Sequence, residues 1–315
     1  MTSNSKGLLR NGWSSSVEDY PISGGWTFNG EFFIVLDAAG SITVFSGKSG
    51  EIIWCRQTIH GGGGLATTIH PGGSKFATAG QDGKIMIWNL KEASVSKTIE
   101  VGNAWVENLE WSLDGSYLAA SSSKKIHVYD EHGAVTWDTE NHRSTVATIV
   151  WSSQGELATA CYGQVTFFDG LSGKINQRLE WKGSLVSMVL SDDGDIVACG
   201  SQDNTVHFWR RSTGNDSQMS GYPFKPSALA FDKSGTYLAT GGSETVTIWN
   251  FEGEGPEGTT PLILSHHREP LTSLTFSNKG SNLASGARDG SVALWNLDSA
   301  DNSKTVGTAK VADTI

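Results

Sequence analysis

The sequence predicts an all-β chain built from seven repeats of one four-stranded antiparallel unit. Three observations carry this reading. A hairpin glycine recurs at Gly30, Gly73, Gly115, Gly155, Gly194, Gly235 and Gly280, at intervals of 39 to 45 residues. A closing aromatic follows each glycine by 13 to 15 residues: Phe45, Trp88, Tyr129, Phe168, Trp209, Trp249 and Trp295. Between these marks apolar and polar residues alternate with period two, the pattern of strands rather than helices. Self-similarity at a fixed spacing of this kind marks a repeat architecture.

Each unit reads in the same order. An apolar first strand leads into the hairpin: "GLATTI", "VENLEW", "TVATIVW", "LVSMVL", "PSALAF" and "LTSLTF". A second strand of small residues follows: "FATAG", "LAASS", "LATAC", "VACGS", "LATGG" and "LASGA". The third strand alternates up to the closing aromatic, as in "KIMIWN", "KIHVYD", "TVHFWR" and "SVALWN". Segments such as "EIIWCRQTI" and "SVSKTIE" supply the outer strand. Thirty-eight glycines and only 18% charged residues suit many tight turns between buried strands. The units run approximately over 20–57, 64–101, 106–140, 146–180, 185–219, 226–266 and 271–298.

The endings "GQDGKIMIWN" (Gly80 to Asn89), "GSQDNTVHFW" (Gly200 to Trp209) and "GARDGSVALWN" (Gly286 to Asn296) resemble repeats of the WD40 family. The resemblance covers about Tyr20 to Leu297 and implies a seven-bladed WD40 β-propeller occupying 1–315 as a single domain. The family's terminal Trp-Asp is nowhere intact. Asn follows Trp88, Trp249 and Trp295, Arg follows Trp209, and three units close on Phe or Tyr. The last unit needs an outer strand. The family's habit of closing with the N-terminal strand favours 8–14, with 303–310 as the alternative. Met219 to Phe231 and Glu252 to Pro261 read as insertions on an edge. They resemble segments of compact prokaryotic single-domain WD40 proteins, a group loosely associated with CobW-type metal-handling GTPases.

The stretch "TIHGGGGLATTIH" has two readings. His60 followed by four glycines has the form of an esterase oxyanion loop, or of a corner between strands. The register decides: His60, His142 and His267 each lie 13 residues before a hairpin glycine. A single oxyanion loop would not repeat so. In the WD40 family this His bonds a turn Asp and a strand Ser or Thr, which in turn meets the closing Trp. The resemblance therefore implies two structural tetrads: His60, Thr78, Asp82 and Trp88, and His267, Ser285, Asp289 and Trp295. A Ser-His-Asp set also resembles a hydrolase triad. Its recurrence beside a Trp points to structure, and no G-x-S-x-G elbow or phosphate loop accompanies it. The tetraglycine then reads as a flexible corner, one that could also admit a ligand to the backbone.

Composition excludes other classes. The net charge is −10, and the only adjacent basic pairs are Lys124–Lys125 and Arg210–Arg211, so no basic stripe exists to hold phosphates. Neither nucleic acid nor membrane is expected as a partner. Cys55, Cys161 and Cys199 fit neither a disulfide framework nor a metal pair. A reducing, cytoplasmic setting is expected, with no cofactor and no metal. His127 and His207 share a third-strand position and read as packing groups, and His266 as a surface residue.

By the family's geometry the corners and the Asp turns share one rim. The candidate partner-binding residues there are Trp105, Lys124, Tyr162, Trp181, Gln202, Tyr222, Phe224 and Arg288. Aromatic and Arg side chains are hot-spot types. The other reading is that Trp and Tyr corners cap blade cores lacking the His, and both stand at this point. The function expected is a non-catalytic scaffold binding a protein or peptide, a monomer within a complex. The alternatives are an enzyme or ligand-binding propeller with a channel site, for which the inner strands offer only Glu107 and Glu110, and a metal-handling accessory protein.

Overall fold

The computed structural model describes residues 12–253, 255–278, 282–297 and 305–310, and the backbone of 6–7. It divides into two compact units. The first comprises Gly12–Trp151 and Gly155–Glu180; the second holds the described residues from Trp181 onward, with Ser152–Gln154 and the pair at 6–7.

The strands follow the repeat. After β1 (Lys6–Gly7) come β2 (Pro21–Trp26), β3 (Phe32–Asp37), β4 (Ile42–Ser46) and β5 (Ile52–Arg56), one antiparallel sheet in chain order. The next sheet is β6 (Gly64–Ile69), β7 (Lys75–Gly80), β8 (Lys84–Asn89) and β9 (Ser94–Glu100). The third is β10 (Val106–Trp111), β11 (Tyr117–Ser122), β12 (Lys125–Asp130) and β13 (Val135–Asp138). A six-stranded sheet follows: β14 (Thr148–Trp151), β15 (Glu156–Asp169), β16 (Ile175–Leu190), β17 (Ile196–Ser201), β18 (Val206–Arg210) and β19 (Asn215–Met219). Then come β20 (Ala228–Phe231), β21 (Tyr237–Gly241), β22 (Thr245–Asn250) and β23 (Leu262–Ser265). The last sheet is β24 (Leu271–Phe276), β25 (Asn282–Ala287), β26 (Ser291–Asn296) and β27 (Thr305–Lys310), with β1 outside β27.

The expectation of seven blades is therefore corrected to six. Predicted units four and five share the six-stranded sheet, because β16 continues unbroken from the outer strand of one into the inner strand of the other. Trp181, Lys182 and Gly183 keep strand geometry where a separate corner was expected. Within β15 the chain doubles back at Tyr162–Gly163. Gly163 has φ +77°, and Thr159 Oγ1 reaches the Thr166 carbonyl at 3.4 Å. Seven residues of straight strand would separate those positions by roughly 23 Å.

The outer position beside β26 is taken by β27, in register from Ser291↔Lys310 to Trp295↔Thr305. The favoured segment 8–14 does not occupy it: Gly12–Ser14 form no strand, and 8–11 lie outside the described residues, as does Gly280. The described hairpin glycines, Gly30 to Gly235, all have φ between +69° and +80°. That is the left-handed region which a Cβ disfavours, and it is why glycine recurs there.

Burial explains the strand compositions. The second strands are buried almost throughout, as in β7 and β17, and accept only small residues on their close-packed faces. The outer strand β9 is largely exposed. The apolar clusters each draw on consecutive sheets of one unit. Ile85 and Ile87 of β8 meet Leu109 and Trp111 of β10; Ile126 and Val128 of β12 meet Ile149 and Trp151 of β14. In the second unit Val246 and Ile248 meet Leu271, Leu283 and Trp295. Full burial of one such side chain contributes about 1.5–3 kcal/mol. One irregularity recurs: the register shifts by a residue as the chain enters the inner strands β2, β6, β10 and β24, and within β16. Such bulges re-aim side chains, here at the corners.

Candidate functional site

The corners are built around buried hydroxyls. His60 is wholly buried. One ring nitrogen, Nδ1, lies 3.0 Å from Asp82 Oδ1, and Nε2 lies 2.9 Å from Thr78 Oγ1. The Trp88 indole donates to the same Thr78 Oγ1 at 3.0 Å. Burial lowers the His60 pKa, with Asp82 opposing the shift. Two of the four glycines that follow it are tightly packed. A Cβ on Gly63 would meet the Ala38 carbonyl at 2.6 Å, and one on Gly64 would meet Leu36 Cγ at 2.6 Å. Gly63 and Gly64 thus let the corner press against β3 of the preceding sheet and the residue after it, so the expected flexible corner is close-packed in its second half, while Gly61 stands in open space.

The second tetrad differs by one link. His267 Nε2 lies 2.7 Å from Ser285 Oγ, to which Trp295 Nε1 donates at 2.9 Å. Its Nδ1 meets Ser291 Oγ at 2.5 Å, and not Asp289. Asp289 accepts instead from the Ser291 hydroxyl and the Arg268 N–H. The direct His–Asp bond is thus corrected to one bridged by Ser291, whose hydroxyl fits between them. Burial and the neighbouring His266 lower the His267 pKa to about 4, against Asp289.

Two further corners use the same plan. His142 Nε2 lies 3.1 Å from Thr159 Oγ1, but its Nδ1 meets the Lys124 carbonyl, and the closing residue is Phe168. Tyr222 replaces the His altogether. Its hydroxyl lies 2.7 Å from Thr240 Oγ1 and accepts from Trp249 Nε1 at 2.7 Å. Burial pushes its pKa up to about 12. The signal was available in the spacing: Tyr222 precedes Thr240 by 18 residues, as His60 precedes Thr78 and His267 precedes Ser285.

These bonds sort the candidate partner-binding residues. Tyr222 is a corner post. Trp181 stacks on the buried His207 at 3.6 Å between ring centroids, and His207 meets Trp209 edge-on at 4.2 Å. Tyr222 therefore packs its corner, and Trp181, within β16, packs on the third strand β18. Trp105, Lys124 and Tyr162 in the first unit are exposed, as are Gln202, Phe224 and Arg288 in the second. The second unit holds a cavity of about 620 Å³ that Phe224, Lys225, Pro270, Leu271 and Arg288 help to line. Its walls are tied by backbone bonds: Phe224 N to the Gly242 carbonyl, Leu271 N to Ser243 and Arg288 N to Pro270.

Other titratable groups serve the framework. His127 Nδ1 lies 2.7 Å from Asp138, pairing a third strand with its outer strand, while His207 Nε2 lies 3.1 Å from Asp216 without hydrogen-bond geometry, and burial lowers its pKa to about 4. The packing reading had not placed these acids. Burial raises the Glu110 pKa to about 8, and its Oε2 has no hydrogen-bond partner. Glu107, at the β10 bulge, is raised by burial too. The three cysteines are free thiols. Among the described residues no group of three or more His, Cys, Asp or Glu side chains is placed to hold a metal.

Comparison with known proteins finds chains of similar sequence. The chain is 25% identical to the serine-threonine kinase receptor-associated protein of Dictyostelium discoideum, over 91% of this chain and 98% of that one. It is 23% identical to telomerase protein component 1 of Mus musculus, over 73% of this chain but 9% of the other. It is 23% identical to THO complex subunit 3 of Arabidopsis thaliana, over 61% and 63%. The family described as "WD domain, G-beta repeat" matches residues 41–89, 94–130, 174–210, 218–250 and 258–296, more than half of the chain. With the repeated four-stranded sheets and the His, Ser/Thr and Trp corners, these matches show that the chain belongs to the WD40 family.

Proposed function

We propose that this chain is a non-catalytic scaffold that holds a protein or peptide partner within a complex. One observation carries the reading. The His and hydroxyl groups that resemble a catalytic set are buried, and each hydroxyl is shared between the His ring and the closing tryptophan, while Phe224 and Arg288 stand exposed at a cavity with tied walls. A group whose hydrogen bonds are all used by its own corner has none to offer a substrate. The relatives support the same reading, since their names are those of a receptor-associated protein, a component and a complex subunit. A cytoplasmic setting, where free thiols persist, is part of the proposal.

The test is a pull-down from native lysate with wild type, a Trp105→Ala/Tyr162→Ala variant and a Phe224→Ala/Arg288→Ala variant. Equal melting temperatures are checked first. A partner held by wild type and lost from one variant supports the scaffold and locates its surface. Turnover of a hydrolase substrate panel that disappears in a folded His60→Gln or Glu110→Gln protein would replace the scaffold with an enzyme.

A further inference from the structure

The cavity of the second unit has a chemistry of its own. Its lining is apolar and backbone-rich, with Val186, Pro270, Leu271 and the ring of Phe224, which is 59% exposed. Among the described residues that line it, the only charged ones are Lys225 and Arg288, both cations. Neither has an ion-pair partner among the described residues. Both are exposed, and both sit on backbone that hydrogen bonds hold in place: the 223–225 corner through Phe224 N and through Asn204 Nδ2 on the Pro223 carbonyl, and Arg288 through Pro270. Two unpaired cations in the lining of one cavity stand out on a chain of net charge −10.

Resting on the scaffold reading, we propose that this cavity takes an acidic segment of a partner protein: Asp or Glu side chains beside one aliphatic or aromatic residue. The apolar side chain fills the space against Phe224, Pro270 and Leu271. A carboxylate meets the Arg288 guanidinium, which can bind it through two parallel N–H donors, and Lys225 supplies a second point charge. The tied walls reduce the ordering cost of binding. Two cations do not make the basic stripe that a nucleic acid requires. Complementary charge also steers association and makes it sensitive to salt.

The experiment selects a displayed library of random 12-residue peptides on the full-length protein. The best peptide is then made synthetically and its affinity measured by fluorescence anisotropy. The expected winners carry Asp or Glu next to Leu, Ile, Phe or Trp. Their binding falls at least about tenfold in Lys225→Ala/Arg288→Ala, and likewise when the peptide acids become Asn and Gln. It falls also in Phe224→Ala, and it weakens as salt rises. Because these side chains are exposed, the variants keep the wild-type melting temperature. Neutral or basic winners, no enrichment, or equal binding to the double variant overturns the proposal. So does a concentration-dependent dimer in sedimentation velocity that the double variant abolishes, which would give the cavity to a second copy of this chain. A native partner retained by the double variant overturns the cavity assignment and leaves the scaffold reading standing.

Discussion

At the scale of single residues, one buried hydroxyl per corner serves as the shared acceptor or donor. Thr78, Ser285 and Thr240 each join a corner side chain to a closing Trp, directly or, for Thr240, through the Tyr222 phenol. Replacing Thr78 by Val keeps the shape and leaves His60 Nε2 and the Trp88 indole unsatisfied. We expect a loss of about 1–3 kcal/mol in denaturant unfolding. Tyr222→Phe strands the Trp249 indole N–H, while Thr240 keeps its bond to the Thr247 carbonyl, and should cost a similar amount, whereas Phe224→Ala should leave stability nearly unchanged. The histidines add a pH dependence whose sign is fixed by burial. The His267 pKa falls from 6.5 to about 4 on folding, so its corner is fully stable above pH 6.5 and loses stability as pH falls towards 4. Glu110 has the opposite sense. Its folded pKa is raised from 4.5 to about 8, so its contribution is present below pH 4.5 and is lost as pH rises through 8. Glu110→Gln should therefore raise the melting temperature at pH 9 more than at pH 5.

At the scale of elements, the corners decide what can change. Gly63 has φ +126° and leaves no room for a Cβ against the Ala38 carbonyl. Gly63→Ala should destabilise by about 1–3 kcal/mol, through strain and a displaced β3, while Gly61→Ala, whose Cβ meets nothing within 4 Å, should be nearly silent. A melting series over the two variants checks this. Much at this scale was legible in the sequence: period-two strands, hairpin glycines and closing aromatics all follow from local chemistry. What was not legible depends on which group fills a fixed position. Tyr222 stands where a His was sought, and its spacing to Thr240, not its chemistry, betrays it. Ser291 bridges His267 to Asp289 because its hydroxyl happens to fit between them. The unbroken β16 removes a corner that the spacing implied, since a regular interval of residues does not say whether the chain bends.

At the scale of the whole molecule, the family matches leave 131–173 unclaimed. His142 and Phe168 lie there, Phe168 standing in for the Trp, while the Lys124 carbonyl, from the matched segment before it, stands in for the Asp. Divergent side chains can hold a corner that the family pattern no longer describes. The partner surface was the least legible part of the chain. Eight rim residues were candidates on equal footing, and two, Trp181 and Tyr222, pack the framework. Aromatic rings serve cores and interfaces alike, and only their burial separates the roles.

The indole bonds have one more consequence. Each of the six sheets contains a tryptophan whose ring N–H is hydrogen-bonded: Trp54, Trp88, Trp137, Trp151, Trp249 and Trp295. Indole protons resonate apart from the backbone amides in a nitrogen-15 correlation spectrum. Each sheet thus carries its own reporter, and the order in which these six signals exchange with heavy water would record the order in which the sheets open.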